Sequence, residues 1–179
     1  RENIIRLWDP GEAEVFDDSF VRPNIYYEIV ERANGRAQLL EFFNQFQGES
    51  GIVYCLSRNK VEETCNRLNE QGFHARFYHA RMEPALKAEV QEAFRMEEGL
   101  CLVATVAFGM GINKPNVRYV AHLDLPSSVE GYYQETGRAG RDGLPSSTFM
   151  TYSMQDIVQR HRMIEENLDS SDETKRIER

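Results

Sequence analysis

The chain of 179 residues lacks several features that would assign its class at once. No Gly-Lys dipeptide and no Asp-Glu-x-His box occurs, so the sequence has no P-loop to cradle nucleotide phosphates and no acidic box to hold Mg²⁺. No apolar run approaches the roughly 18–20 residues of a membrane helix, and the first residues lack the apolar core of a signal peptide. These absences exclude a self-sufficient P-loop NTPase and an integral membrane protein.

Cysteine is also scarce, and the three cysteines do not form a metal-binding pattern. Cys55, Cys65 and Cys101 are widely spaced, without a Cys-x-x-Cys pair. We therefore expect buried free thiols in a reducing compartment. No Asn-x-Ser/Thr site is present either, and both observations favour the cytoplasm. The sequence has no serine-hydrolase elbow and no His-Glu-x-x-His motif, and Cys55 lacks the arginine six residues later that a phosphatase loop requires.

The net charge of −8 is unevenly distributed. Residues 1–20 hold six acids and two bases, residues 165–179 hold six acids and three bases, and the net charge of residues 21–164 is therefore only −1. A negative net charge does not exclude phosphate binding, because the local electrostatic field at one face of the protein determines whether a phosphate binds there.

Short apolar runs alternate with stretches of helical periodicity along the chain. Such alternation predicts an α/β fold of the three-layer type, with a mostly parallel sheet covered by helices on both faces. One helix is expected to bury Leu86, Val90 and Phe94 on a common face, and Ser127 with Glu130 is expected to form a capping box before another helix. The predicted strands cover residues 25–30, 51–56, 74–78, 100–104, 117–123 and 147–152.

The stretch Gly137-Arg138-Ala139-Gly140-Arg141 is the most informative feature of the sequence. Each arginine follows a glycine, so two guanidiniums stand beside bare backbone. A planar, permanently charged donor fork suits a polyanion that approaches closely, such as the γ-phosphate of a nucleotide in its transition state. The alternative is a glycine-rich basic loop at the surface.

Further candidates follow the predicted strands, at the edge where ligands of open α/β sheets sit. Ser57, Arg58 and Lys60 offer a hydroxyl and two charges at a helix start, which is a phosphate-contact arrangement. His79 and Thr105 follow the ends of two other strands. The alternatives are a Ser57 that only caps the helix and a His79 that is structural.

A loop with two glycines follows Thr105. Close approach of a ligand to the backbone would explain Gly109 and Gly111, and so would a plain turn. The loop is not a dinucleotide fingerprint, because Lys114 stands where the third glycine would be.

Three stretches in fixed order resemble helicase motifs. Residues 51–58 (Gly-Ile-Val-Tyr-Cys-Leu-Ser-Arg) resemble motif IV, residues 103–118 resemble motif V, and residues 132–143 resemble motif VI. The residues of these motifs are similar to those of RecQ DNA helicases, most of all the bacterial members. They differ from those of DEAD-box RNA helicases, whose sixth motif usually begins His-Arg. Arg22-Pro23-Asn24-Ile25 and Tyr78-His79-Ala80 also fit the RecQ pattern, whereas Val21, Arg81-Met82 and Asn113 depart from it.

The resemblance implies a domain organisation. Residues 20–168 would be the second RecA-like domain of a RecQ helicase, residues 1–19 the trailing segment of an absent first RecA-like domain, and residues 169–179 a polar tail leading to an absent C-terminal module. The parent would be an ATP-dependent 3′–5′ DNA helicase of repair and recombination, cytoplasmic and nucleoid-associated. ATP and Mg²⁺ would be held mainly by the first domain, and zinc would lie outside this chain.

The resemblance also implies roles for single residues. By position, Arg141 resembles an arginine finger and Arg138 its partner near the phosphates. The expected nucleotide contacts are Gln134, Gly111 and Asn113. The expected contacts to single-stranded and partly duplex DNA are Ser57, Arg58, Lys60, His79 and Thr105.

Two other functions remain open from the sequence. One is the C-terminal domain of a related RNA helicase, and the other is a non-catalytic nucleic-acid-binding module. A P-loop encoded upstream would favour a helicase, and comparison of DNA- and RNA-stimulated ATPase would separate the two helicase classes. The fragment by itself is expected to be inactive, because it lacks a P-loop.

Overall fold

The computed structural model describes residues 22–106, 108 and 113–162, and these form a six-stranded sheet flanked by helices. The strands are β1 Ile25–Glu31, β2 Gly51–Tyr54, β3 Ala75–Tyr78, β4 Cys101–Ala104, β5 Tyr119–His122 and β6 Ser146–Tyr152. They lie side by side in the order β1-β6-β5-β2-β4-β3, and every neighbouring pair is parallel. The predicted α/β fold class with a parallel sheet is confirmed.

The described helices are α1 Gly35–Asn44, α2 Arg58–Glu70, α3 Pro84–Met96, α4 Val129–Thr136 and α5, which begins at residue 154 and reaches residue 162. Polar side chains close their first turns. Asn34 accepts a hydrogen bond from the amide of Ala37, and Ser153 and Asp156 cap each other reciprocally at distances of 2.8 and 3.3 Å. None of the described helices is long and apolar enough to cross a membrane.

Side chains of the central strands alternate between two cores. Ile52 and Tyr54 contribute to a core beneath α3, whereas Val53 contributes to a core beneath α1 and α2. The second core includes an aromatic stack of Phe42 on Phe149, with ring centroids 4.7 Å apart. A strand buried on both faces explains why these segments read as continuous apolar runs in the sequence.

The three cysteines are buried free thiols, as predicted. Burial raises the pKa of the Cys55 and Cys101 thiols to about 12, so both stay protonated at neutral pH. A protonated thiol is a poor nucleophile, and these cysteines therefore serve the core.

Two local expectations were wrong. Leu86 is 41% exposed although Val90 and Phe94 of the same helix are buried, because Leu86 lies in the first turn, before α3 passes over the strands. The predicted capping box is not made either. Ser128, not Ser127, caps α4 by accepting from the amide of Gly131, which places Glu130 one position too early to reach back.

The parallel strands define two edges of the sheet. The carboxyl edge comprises the residues that directly follow β2, β3, β4 and β5, and the amino edge comprises those that directly precede β1, β5 and β6. Thr105, which follows β4, lies at the carboxyl edge, and Val117 and Arg118, which precede β5, lie at the amino edge.

Gly51 of β2 lies in close contact with the ring of Tyr119 of β5, so a substitution at Gly51 tests the packing between these two strands. A Cβ at Gly51 would lie 2.1 Å from the Tyr119 ring, which is held between the rings of Phe43 and Phe46. We expect Gly51→Ala to lower the free energy of unfolding by about 2 kcal/mol or more, as overpacked cores do. Urea unfolding of the purified chain measures the change.

Gly131→Ala is the matched control for that variant. A Cβ at Gly131 has no neighbour closer than 3.4 Å, and the residue lies inside α4. The free energy of unfolding should therefore rise by about 0.5–1 kcal/mol, because alanine loses less backbone entropy in a helix. Equal stability of the two variants would contradict the packing described for β2 and β5.

Candidate functional site

The loop that carries the two arginines, residues 137–145, connects α4 with β6 at the amino edge of the sheet. Backbone hydrogen bonds attach it there. The amide of Gly140 donates to the carbonyl of Val117 over 2.9 Å, and the amide of Ser146 donates to the carbonyl of Asn24 over 2.9 Å. The loop therefore lies against the starts of β1, β5 and β6 at once.

Two polar side chains from the start of β1 hold the carbonyls of this arginine loop. The Arg22 guanidinium donates to the carbonyls of Ala139 and Gly140 at 3.2 and 2.8 Å. The Asn24 amide donates to the carbonyls of Gly140 and Leu144 at 2.8 and 3.0 Å. Arg22 and Asn24 are thus positioning residues, whereas in the sequence they stand out only as part of a family pattern.

The far end of the loop is held by an ion pair. Arg118 binds both carboxylate oxygens of Asp142, at 2.7 and 2.6 Å, and donates to the carbonyl of Pro145 at 3.1 Å. The hydrogen bond from Arg118 lowers the pKa of Asp142. Because Arg118 lies at the end of the predicted motif V, this ion pair joins motifs V and VI directly.

The electrostatics of the loop favour an anion. Arg141 is exposed and Arg138 is partly buried. Partial burial, and then the positive charges of Arg138 and Arg22, lower the pKa of Arg141. Three guanidiniums that repel one another in one region are stabilised when a polyanion binds among them. The arrangement can therefore stabilise negative charge that develops on a phosphate.

Two of the other predicted nucleotide contacts, Gln134 and Asn113, are described by the structure. Gln134 is exposed on α4, one turn before the arginine loop, and Asn113 is exposed four residues before Val117, whose carbonyl binds Gly140. Gly111 lies outside the described residues. The contacts of all three with a nucleotide stay predictions.

The predicted DNA contacts gather at the carboxyl edge. The amide of Cys55 donates to the carbonyl of Ala104, and the amide of Thr105 donates to the carbonyl of Tyr78. Thr105 therefore lies between the end of β2, which leads to Ser57, and the end of β3, which leads to His79. Residues far apart in the sequence are brought to one edge, as the parallel topology requires.

These residues differ in how available they are to a ligand. Arg58 is exposed at the first position of α2, and Ser57 caps that helix by accepting from the amide of Lys60 at 3.3 Å. The Lys60 ammonium is bound to Asp124 at 2.6 Å and to the carbonyl of Leu123 at 2.9 Å. The Lys60 ammonium therefore joins α2 to the residues that follow β5.

His79 is also engaged within the domain. Its side chain is 8% exposed, its Nε2 lies 3.0 Å from the Glu62 carboxylate, and its ring stacks on Phe77. A nucleic acid could reach it only at the rim of this contact, whereas Arg58 stands open to solvent. Contact of His79 and Lys60 with DNA stays a prediction.

Comparison with known proteins decides the family. The sequence model of the family described as "Helicase conserved C-terminal domain" matches residues 34–143, more than half of the chain. The chain belongs to the helicase conserved C-terminal domain family. The match ends at Gly143, so it includes all three motif-bearing segments and both arginines of the loop.

Relatives of this helicase C-terminal domain include RecQ helicases. It is 45% identical over 170 residues to "ATP-dependent DNA helicase RecQ" of Pasteurella multocida (95% of the chain, 27% of the relative) and 47% identical over 158 residues to that of Haemophilus influenzae (88% and 26%). "RecQ-like DNA helicase blm-1" of Caenorhabditis elegans is 46% identical over 156 residues (86% and 16%). The RecQ resemblance is confirmed, and the chain spans about a quarter or less of these relatives' length.

Solved structures agree on the fold. A DEAD-box protein of Methanococcus jannaschii is similar with a TM-score of 0.69 at 20% identity, over 94% of this chain and 47% of that one. Domain 2 of Mss116p, a DEAD-box helicase bound to an RNA duplex, has a TM-score of 0.60 at 18% identity, over 72% and 54%. At such identities the likeness shows the RecA-like fold alone.

The close packing around Gly140 leads to a stability prediction for this helicase C-terminal domain. Gly140 has φ +55°, and a Cβ would lie 2.5 Å from the Asn24 amide nitrogen and 2.8 Å from the Leu144 carbonyl. Gly140→Ala should lower the free energy of unfolding by about 3 kcal/mol, because the left-handed strain and the clash with backbone add together.

Gly143→Ala separates the stability loss that is due to left-handed backbone strain from the loss that is due to a steric clash. Gly143 has φ +81° and open space around its Cβ position, so only the strain of the left-handed backbone applies. That variant should lose about 1 kcal/mol. Chemical denaturation of both variants measures the difference, and equal losses would show that the loop is not held as tightly as described.

Proposed function

We propose that this domain supplies the arginine finger and part of the single-stranded DNA track of an ATP-dependent 3′–5′ DNA helicase of the RecQ type, acting in DNA repair and recombination. The observation that carries the proposal is the attachment of the arginine loop. Arg22 and Asn24 hold its carbonyls, while Arg141 remains exposed. Donors that are already fixed need little reorganisation when charge develops in the transition state.

In the proposed mechanism, ATP binds as substrate between this domain and a first RecA-like domain. Arg141 reaches across the cleft and donates to the oxygens of the γ-phosphoryl group as it leaves, with Arg138 beside it. Gln134, Asn113 and Gly111 contact the nucleotide from this side of the cleft. The bidentate donor geometry of the guanidinium matches two phosphate oxygens at once, which a lysine cannot do.

We assign the remaining phosphate chemistry to the first domain. This chain has no P-loop, and among the residues that the structure describes no group of three His, Cys, Asp or Glu side chains could hold a metal ion. Mg²⁺, when bound there, would neutralise phosphate charge. The domain alone is therefore proposed to be inactive, and zinc is proposed to bind elsewhere in the full-length protein.

The carboxyl edge is proposed to follow the backbone of single-stranded DNA, or of the single-stranded part of a partly duplex substrate. Arg58 is exposed beside the start of α2, where free amide groups also favour a phosphate. The Ser57 hydroxyl can donate to a phosphate oxygen while its lone pair caps the helix. Thr105, His79 and Lys60 complete the proposed track.

The loop of residues 105–118 offers a physical link between hydrolysis and movement on DNA. Thr105 is attached at the carboxyl edge, and Val117 accepts from Gly140 of the arginine loop at the amino edge. In the proposed mechanism, closure of the cleft on ATP displaces both edges together. Alternating closure and opening would carry two DNA-binding surfaces along one strand.

Measurements of ATPase activity also distinguish two alternative functions. An RNA helicase would show ATPase stimulation by RNA in preference to DNA, and a non-catalytic binding module would show no ATPase in any context. We also propose that the protein acts in the cytoplasm, associated with the bacterial nucleoid, which the free thiols of its core support.

Substitution of Arg141 is the most direct test of the proposed function. In the full-length protein, Arg141→Ala should lower the turnover of ATP by about 10³-fold or more, with a smaller change in nucleotide affinity, because an arginine finger acts on the transition state. Arg141→Lys should restore little of this loss. Steady-state phosphate release with saturating DNA, beside nucleotide binding, gives both quantities.

Arg76→Ala is the matched control for Arg141→Ala. Arg76 lies on β3 and pairs with Glu89 and Glu97 at the surface, away from both candidate edges. Its loss should leave turnover unchanged, since such surface ion pairs contribute little. Near wild-type turnover by Arg141→Ala would assign the finger elsewhere, and Arg138 would be examined first.

Arg58 tests the DNA track. Arg58→Ala should weaken binding of single-stranded DNA by the full-length protein and reduce the slope of log affinity against log salt concentration by about 0.7, the share of one phosphate contact. Fluorescence titrations at several salt concentrations measure the slope. Arg67→Ala, on the last turn of the same helix and paired with Glu63, should leave it unchanged. An unaltered slope for Arg58→Ala would remove this residue from the track.

A further inference from the structure

A buried histidine–glutamate pair holds the helix that leads into the arginine loop. His122 is the last residue of β5, and its Nε2 lies 2.7 Å from the carboxylate of Glu135 on α4. The two side chains are only 2% and 13% exposed. A carboxylate accepts hydrogen bonds, so the Nε2–H of His122 is the donor. Shielded from water, this contact is stronger than an exposed ion pair of the surface.

The ring of His122 is itself fixed by aromatic neighbours. It stacks on the ring of Tyr54, the residue paired with it on β2, with centroids 5.2 Å apart and an interplanar angle of 27°. The ring of Tyr132 meets His122 edge-on at a centroid distance of 5.0 Å. Because Tyr132 and Glu135 both lie on α4, the end of β5 contacts this helix through a ring and through a hydrogen bond. Rotation of α4 about its axis would disturb both contacts.

Backbone hydrogen bonds connect the last turn of α4 to the start of the arginine loop. The amide of Arg138 donates to the carbonyl of Glu135 over 3.2 Å, and the amide of Ala139 donates to the carbonyl of Thr136, a fully buried residue, over 3.0 Å. The next residue, Gly140, is attached to the amino edge of the sheet. Arg138 therefore lies between two attached points of the chain, whereas the second arginine of the loop lies beyond both.

We infer that His122 and Glu135 form a positioning pair that fixes the last turn of α4 and thereby orients Arg138 for the nucleotide phosphates. This inference rests on the proposed function of the arginine loop and adds two residues from outside that loop. His122 also ends a strand beside β2, which leads to Ser57 and Arg58. The pair thus joins the proposed DNA track to the arginine loop through side chains, separately from the backbone of residues 105–118.

The test removes the acceptor of this pair in the full-length protein. For Glu135→Ala we expect the turnover of ATP with saturating DNA to fall about tenfold, on the scale of a hydrogen bond to a charged group, with less than about a twofold change in KM. Glu135→Gln should restore turnover to within about threefold of wild type, because its amide oxygen still accepts from the Nε2–H of His122. Steady-state phosphate release measures turnover and KM for each variant.

Glu130→Ala is the matched control. Glu130 is an exposed glutamate in the first turn of the same helix, so the same substitution is made at a position that faces solvent. Turnover should stay within about twofold of wild type, as is usual for surface substitutions. Equal turnover of Glu135→Ala and Glu130→Ala would overturn the inference.

A double-variant cycle distinguishes positioning of Arg138 from a general loss of structure. In an Arg138→Ala background, Glu135→Ala should cause no further loss of turnover, because the guanidinium that the pair orients is gone. Two losses that multiply, as a folding defect would produce, would overturn the inference. Wild-type full-length protein without DNA-stimulated ATPase would instead overturn the proposed function itself.

Discussion

The backbone of Gly140 is the constraint on which the arrangement of the site depends. Its carbonyl accepts from both Arg22 and Asn24, its amide donates to Val117, and its positive φ leaves no room for a side chain beside Asn24 and Ser146. The starts of β1 and β5 are joined at this one residue, and the loop continues directly into β6. Because the sheet is rigid, a loop attached to three of its strands presents its arginines in a fixed place.

This attachment explains how a loop rich in glycine can hold charged groups in order. Arg141 is exposed, and the positive charges of Arg138 and Arg22 oppose its own charge. Arg22 and Asn24 hold the loop by its backbone carbonyls. The proposed arginine finger would rely on such a fixed arrangement, because donors already in place stabilise transition-state charge without reorganisation.

Most of the fold could be predicted from the sequence, because its signals are local. Strands buried on both faces appear as apolar runs, and the helix ends after α2 and α3 are marked by Gly72 and Gly99, both with positive φ. Leu86 could not be placed correctly, since periodicity describes a face of a helix but not where the covered strands stop.

The sequence located the segments that carry the candidate site, but not the residues that hold them in place. Arg22 acts on Gly140 across 118 positions of sequence, and Lys60 meets Asp124 across 64, so no local pattern discloses either contact. Charged residues near a strand end look the same whether they face a ligand or a distant partner in the same domain. The motifs located the loops, and only the tertiary structure distinguishes the exposed Arg58 from Lys60, which is bound to Asp124.

The most direct measurement of the central claim is a crystal structure of the full-length protein with ADP and a metal-fluoride mimic of the transferred phosphate. The account predicts a guanidinium nitrogen of Arg141 within about 3 Å of the mimic, at the distance of a charge-assisted hydrogen bond. It also predicts that the contacts of Arg22 and Asn24 with the Gly140 carbonyl are unchanged from those seen here. Arg141 directed to solvent, with a different cation at the mimic, would contradict the account.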